Sequence, residues 1–124
     1  SDTIKVGEAF RIDLFLFPYF SDKSDVFITI PKNLNNFIDI SNLESMELDT
    51  IWNISKDKRI HKSTLTKQDL ENSNLKVYLL LAFKNEGIKY IQGIINEPAQ
   101  QNLDSLGTGM IKKYYFEKKI LVVK

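Results

Sequence analysis

Cysteine is absent from the 124-residue chain, which excludes disulfides, zinc–thiolate sites and thiol catalysis together. The absence leaves the compartment open, because a chain this long can fold in an oxidising space without bridges. Histidine occurs once, at His61, so a multi-histidine metal site cannot form and a Ser–His–Asp triad has one possible base. Excess charge is lacking as well. The 17 Lys and Arg stand against 16 Asp and Glu, a formal net charge of +1, and no overall field draws nucleic acid or an anionic membrane. No run approaches the roughly 20 apolar residues of a transmembrane helix; the longest, Phe10 to Phe20, is broken by Arg11, Asp13 and Pro18. Helical periodicity never lasts beyond about two turns.

What is present is strand-like. With 43% hydrophobic and 27% charged residues, the composition is that of an ordinary globule, and the length is that of one domain. Leu75, Val77, Leu79, Leu81 and Phe83 share one face of an extended chain, with Lys76 and Tyr78 on the other. Lys84-Asn85-Glu86-Gly87 breaks the pattern. Gly87 can take a positive φ, so Leu75 to Ile95 is expected to form a hairpin. Before it, Thr3 to Val6 is a short strand turned by Gly7 and Glu8, and Phe10, Ile12, Leu14 and Leu16 mark a core strand. Phe15 and Phe17 are expected to gain cover on its second face before Pro18.

Ser21 to Asp25 is a polar loop, Val26 to Ile30 a β-branched strand halted by Pro31, and Asn33 to Asn36 a break before Phe37, Ile38 and Ile40. Leu48 to Ile54 alternates with Trp52 as the expected core anchor. Ser55 to Arg59 is a tip and Ile60 to Thr66 a returning strand. Lys67 to Ser73 alone suits a helical turn, with Thr66 as N-cap and Asp69 and Glu71 near its positive end. Asn96 to Gly109 is a long loop, and Met110 to Val123 is a closing strand whose alternation slips near Glu117, Lys118 and Lys119, the sign of a bulge. The pattern predicts an all-β fold, an immunoglobulin-like β-sandwich of about seven to nine antiparallel strands, with Tyr90 where a tyrosine corner would lie or simply filling a sheet edge.

Candidate chemistry is sparse. His61 reads as an exposed strand histidine. Asp22 with Asp25, or Asp69 with Glu71, lacks the acidic loop of a calcium site, and Gly107-Thr108-Gly109 lacks the helix of a phosphate cradle. The basic cluster Lys56, Lys58, Arg59, His61 and Lys62 is a phosphate-loop candidate without aromatics for base stacking. Lys112-Lys113 and Lys118-Lys119 flank Tyr114, Tyr115 and Phe116, a pattern that also guards a closing edge strand. No catalytic, cofactor or metal residues are expected. Binding falls to loops or an exposed strand edge, first to Asn96–Gly109; the particular partner-binding residues stay open.

The order of motifs resembles the immunoglobulin-like domains of the bacterial oxygen-tolerance family BatD over nearly the whole chain. Val6-Gly7-Glu8-Ala9-Phe10 is similar to that family's opening, and Ile30-Pro31 through Asn36-Phe37 to its next strand. Leu81 to Ile91, with the Lys-Asn-Glu-Gly turn, Tyr90 and Ile91, resembles its hairpin. Tyr114-Tyr115-Phe116-Glu117 leading to Ile120-Leu121-Val122-Val123 resembles its closing strand. The resemblance implies a non-enzymatic, exported domain facing the periplasm. It also implies a membrane tether outside residues 1–124 and von Willebrand A-type partner proteins, with no cofactor. The abrupt start at Ser1 and the apolar end agree with one domain cut from a longer protein. The competing expectation is a surface adhesin or carbohydrate-binding module, which needs exposed aromatics such as Trp52 and Tyr78. A third, a hydrolase, needs a polar cleft with perturbed carboxylates.

Overall fold

The computed structural model describes residues 3–32, 38–43, 45–99 and 110–124. Among the described residues seven strands form two sheets. They are β1 (Thr3–Lys5), β2 (Phe10–Phe15), β3 (Phe27–Pro31), β4 (Leu48–Trp52), β5 (Lys76–Leu81), β6 (Gly87–Pro98) and β7 (Ile111–Val123). One sheet has the order β1-β7-β6-β3-β4 and the other holds β2 and β5. Two single-turn helices, α1 (Ile40–Leu43) and α2 (Lys67–Leu70), decorate them.

The core lies between the sheets, where period-2 alternation sends every second residue inward. Ile28, Ile30, Ile51, Ile91, Ile120 and Val122 from the larger sheet meet Val77 and Leu79 from the smaller, with Phe10, Ile12 and Leu14 packed at the margin. The expected inward face of β5 is therefore present: Leu75, Val77, Leu79 and Phe83 are buried. Thr66 caps α2 as expected, accepting from Asp69 N while Asp69 reaches back to Thr66 N, a complete capping box.

Several expectations are overturned. β5 and β6 do not form a hairpin; β5 pairs with β2, β6 pairs with β7 and β3, and the turn carries the chain from one sheet to the other. Gly87 does take positive φ, +126°, but at a crossover. Alternation reports which face is buried and not which strand lies alongside. The pairing is not wholly antiparallel, because β1 runs parallel to β7, Thr3 beside Leu121 and Lys5 beside Val123. Trp52 is not the core anchor. Ile51 faces inward at 5% exposure and Trp52 outward at 39%, since a slim β-branched side chain fits between close-packed sheets opposite Ile28. Phe15 and Phe17 gain no second cover and stand exposed.

Ile60 to Thr66 makes a turn at Lys62–Thr64 instead of a strand. Asn96 to Pro98 belong to β6; residues 100–109 of the expected loop, the Gly107-Thr108-Gly109 motif within them, the expected break Asn33 to Asn36, and Phe37 after it lie outside the described residues. No bulge interrupts β7. Its ladder with β6 runs unbroken from Gly87 opposite Val122 to Pro98 opposite Ile111. The apparent slip comes from Lys118, which holds an inward position in the alternation yet reaches solvent.

Candidate binding surface

The sequence places small polar residues after β4, and the structure uses them to build a wall beside that strand. Asn53, fully buried, is the pivot. Its amide donates to Val26 O at 3.0 Å, its side-chain oxygen accepts from Ser55 Oγ and Lys56 N, and its carbonyl accepts from Lys56 N and Asp57 N. These bonds curl residues 55–60 back alongside β4. Asp57, its side chain 4% exposed, clamps Arg59 through Nε and Nη2 at 3.1 Å each. That carboxylate holds the guanidinium above its ordinary pKa, against the opposing effect of burial.

β4 is an open edge. Asn53 N donates to Val26 O and Lys32 N to Glu47 O, which assigns the β3-facing bonds to Ile51 and Asp49. Leu48, Thr50 and Trp52 then turn their N–H and C=O groups away from the sheet. At Ile54 this edge touches β5, Ile54 N donating to Lys76 O at 2.8 Å, and beyond that point the two sheets part. The outcome is a hollow of ≈ 890 Å³ lined by Thr50, Ile51, Trp52 and residues 55–60. A smaller one of ≈ 400 Å³ shares Thr50, Ile51 and Arg59 and reaches Leu79–Leu81 of β5. The Trp52 ring packs on Phe27 at 4.8 Å between centroids and lies 5.4 Å below Lys56 Nζ.

Of the basic cluster, Lys56, Lys58 and Arg59 line the larger hollow, and two of them are paired with carboxylates. Lys56 pairs with Asp25 at 3.0 Å and Arg59 with Asp57, while His61 Nδ1 lies 3.3 Å from Ser63 Oγ. Lys58 projects from the wall; the Lys62 side chain is outside the described residues. The acidic pairs do not converge on an ion. Asp25 serves Lys56 and Asn53, Asp69 serves α2 and Tyr78, and among the described residues no three His, Cys, Asp or Glu form a metal group. Lys112 lies over the Tyr19 and Tyr114 rings.

Tyr78, the second expected surface aromatic, is buried at 6% exposure. Arg11 stacks on its ring at 4.1 Å, and its hydroxyl donates to Asp69. Burial first, then the Asp69 carboxylate, pushes the phenol up to about 12. The same hydrogen bond, joined by the Thr66 amide, holds Asp69 below the usual carboxylate range.

Two buried polar residues escaped the sequence reading. Glu97, fully buried, accepts from Tyr19 N at 2.7 Å, Phe20 N at 2.8 Å and Ser24 Oγ at 2.7 Å. Gln92 holds residue 38 on both sides, accepting from Ile38 N and donating to Ile38 O. The Glu97 partners and Ile38 lie 54 to 78 positions away, and Gln92 also donates to Tyr115, 23 positions on, so no local pattern announces them. Searches with the chain return no matching family model, curated protein or solved structure.

Proposed function

We propose that the protein is a non-enzymatic, immunoglobulin-like interaction domain of the BatD kind, working from the cell envelope beside von Willebrand A-type partners. Its tether to the membrane would lie outside residues 1–124. The strand order supports the immunoglobulin-like reading. β2 and β5 take the places of strands B and E, β3, β6 and β7 those of C, F and G, and β4 that of the added C′. Tyr90 lies near the start of strand F but opposite Lys119, one residue out of step with the inward Ile91, so it fills the outer sheet face and the corner-tyrosine position lends the reading no weight.

The observation that carries the reading is the open β4 edge beside the half-exposed Trp52. Outward N–H and C=O groups at Thr50 and Trp52 offer backbone pairing to an extended partner segment, and the adjoining hollow offers a seat for its side chains. Trp52 is the only tryptophan, which makes the test direct. Titrating the domain with a von Willebrand A-type domain encoded beside it should shift Trp52 emission with a calorimetric binding signal, and Trp52→Ala should abolish the heat. An absent heat, or one indifferent to Trp52→Ala, would refute the assignment. The carbohydrate-binding reading loses Tyr78 to burial and keeps Trp52 alone; a Trp52 shift on addition of oligosaccharides would revive it.

A further inference from the structure

Among the described residues β2 has a strand partner on one side only. Leu16 N donates to Leu75 O at 3.0 Å in register with the β2–β5 ladder, so Phe10, Ile12 and Leu14 are the residues bonded to β5. Arg11, Asp13 and Phe15 therefore direct their N–H and C=O groups to the open side, and among the described residues none supplies them a backbone partner there. The strand that could have sat here, β1, runs beside β7 instead. Burial agrees: Phe10, Ile12 and Leu14 face the core only half-buried, whereas Val77 and Leu79 on β5 are 1% exposed. Outside, Arg11 and Asp13 form an exposed pair at 2.7 Å. Phe15 and Phe17 stack edge to face at 5.1 Å, Phe17 being 81% exposed.

We propose that this edge is completed by the same edge of a second copy, the two β2 strands running antiparallel about Ile12. The two-stranded sheets then merge in the order β5-β2-β2-β5. The charge pattern selects both the occupant and the register. Centring on Ile12 sets Arg11 of each copy opposite Asp13 of the other, and these are residues whose backbone groups already face outward. Centring on Arg11 or on Asp13 would set like charges directly opposite, which is destabilising. In the favoured register Ile12 meets its counterpart and Phe10 meets Leu14, at the non-hydrogen-bonded positions where side chains come closest. The half-buried inward row is thereby covered. A sheet of two strands, marginal alone, becomes one of four. The surface lies across β5 from the β4 edge, so this inference does not depend on the partner reading above.

The test is sedimentation equilibrium of the full chain with amide exchange. The wild type should dimerise, with Arg11 and Asp13 amides protected at high concentration and exposed at low. Arg11→Asp and Asp13→Arg should each weaken self-association by about tenfold or more. An equimolar mixture of the two variants should restore it, because the first carries an acidic side chain at both positions and the second a basic one at both, so each facing pair is again of opposite sign. Circular dichroism identifies any variant that fails to fold, and the wild-type exchange pattern then decides. A wild type that stays monomeric at millimolar concentration overturns the proposal. So does a dimer indifferent to both charge changes, or a mixture that does not associate; an edge filled by a different protein's strand would give the first of these results.

Discussion

A single buried carboxylate organises the segment that joins β2 to β3. Glu97 gathers the amides of Tyr19 and Phe20 and the hydroxyl of Ser24, and removing it leaves three donors without their acceptor, the buried Ser24 hydroxyl among them. Glu97→Ala should lower unfolding stability by roughly 3 kcal/mol, read from urea midpoints. The same instrument distinguishes the two faces of β4. Ile51→Ala should cost about 2–4 kcal/mol, whereas Trp52→Ala, which gives up an outward stack on Phe27, should cost roughly 1 kcal/mol. Tyr78 adds a pH dependence. Its folded pKa is raised to about 12 from 10.0, so its contribution is complete below pH 10 and disappears as pH rises through 12. Tyr78→Phe should flatten that part of the alkaline stability curve. Residue identity alone carried little of this. The sequence marks Trp52 by its size, but volume favours the core only where a cavity of that volume exists, and alternation left Ile51 and Trp52 equal claims.

At the scale of elements, the β6–β7 pair is the spine of the larger sheet. Gly93 sits at its centre opposite Phe116. A Cβ there would lie 2.7 Å from the Phe116 ring and 2.7 Å from Thr29 O, so the absent side chain lets an aromatic ring cross one strand while a third packs behind. Gly93→Ala should destabilise by about 1–3 kcal/mol, and a thermal scan giving an unchanged melting temperature would contradict that packing. Strands were the most legible feature of the sequence, because the inward rows of β2, β3 and β5 and the cap at Thr66 are written in local spacing. Partnership was not. Leu75 to Ile95 reads as a hairpin locally, yet β6 finds twelve partners in β7 and β5 finds its own far upstream in β2. For a binding surface the sequence offers loops, Asn96–Gly109 first, or an exposed strand edge, and does not choose between them; β4 as an edge depends on where Asn53 sends its hydrogen bonds.

The molecule as a whole is a five-over-two arrangement with one edge to be managed in each sheet, β4 in the larger and β2 in the smaller. One, at β4, is flanked by a loop and a hollow; the other, at β2, carries a self-complementary charge pair. The parallel pairing of β1 with β7 has a further mechanical meaning. Thr3 lies level with Leu121, Lys5 with Val123, and Val6 N donates to Val123 O, so a load applied through these terminal strands drags one along the other. All the hydrogen bonds between them resist in concert, as threads in a lap joint do, instead of opening one by one. Pulling through residues 3 and 123 should give one abrupt high-force rupture, while Ile4→Pro should lower that force steeply with far less effect on equilibrium stability. Strain along the chain axis is the kind of stress this seam is shaped to withstand.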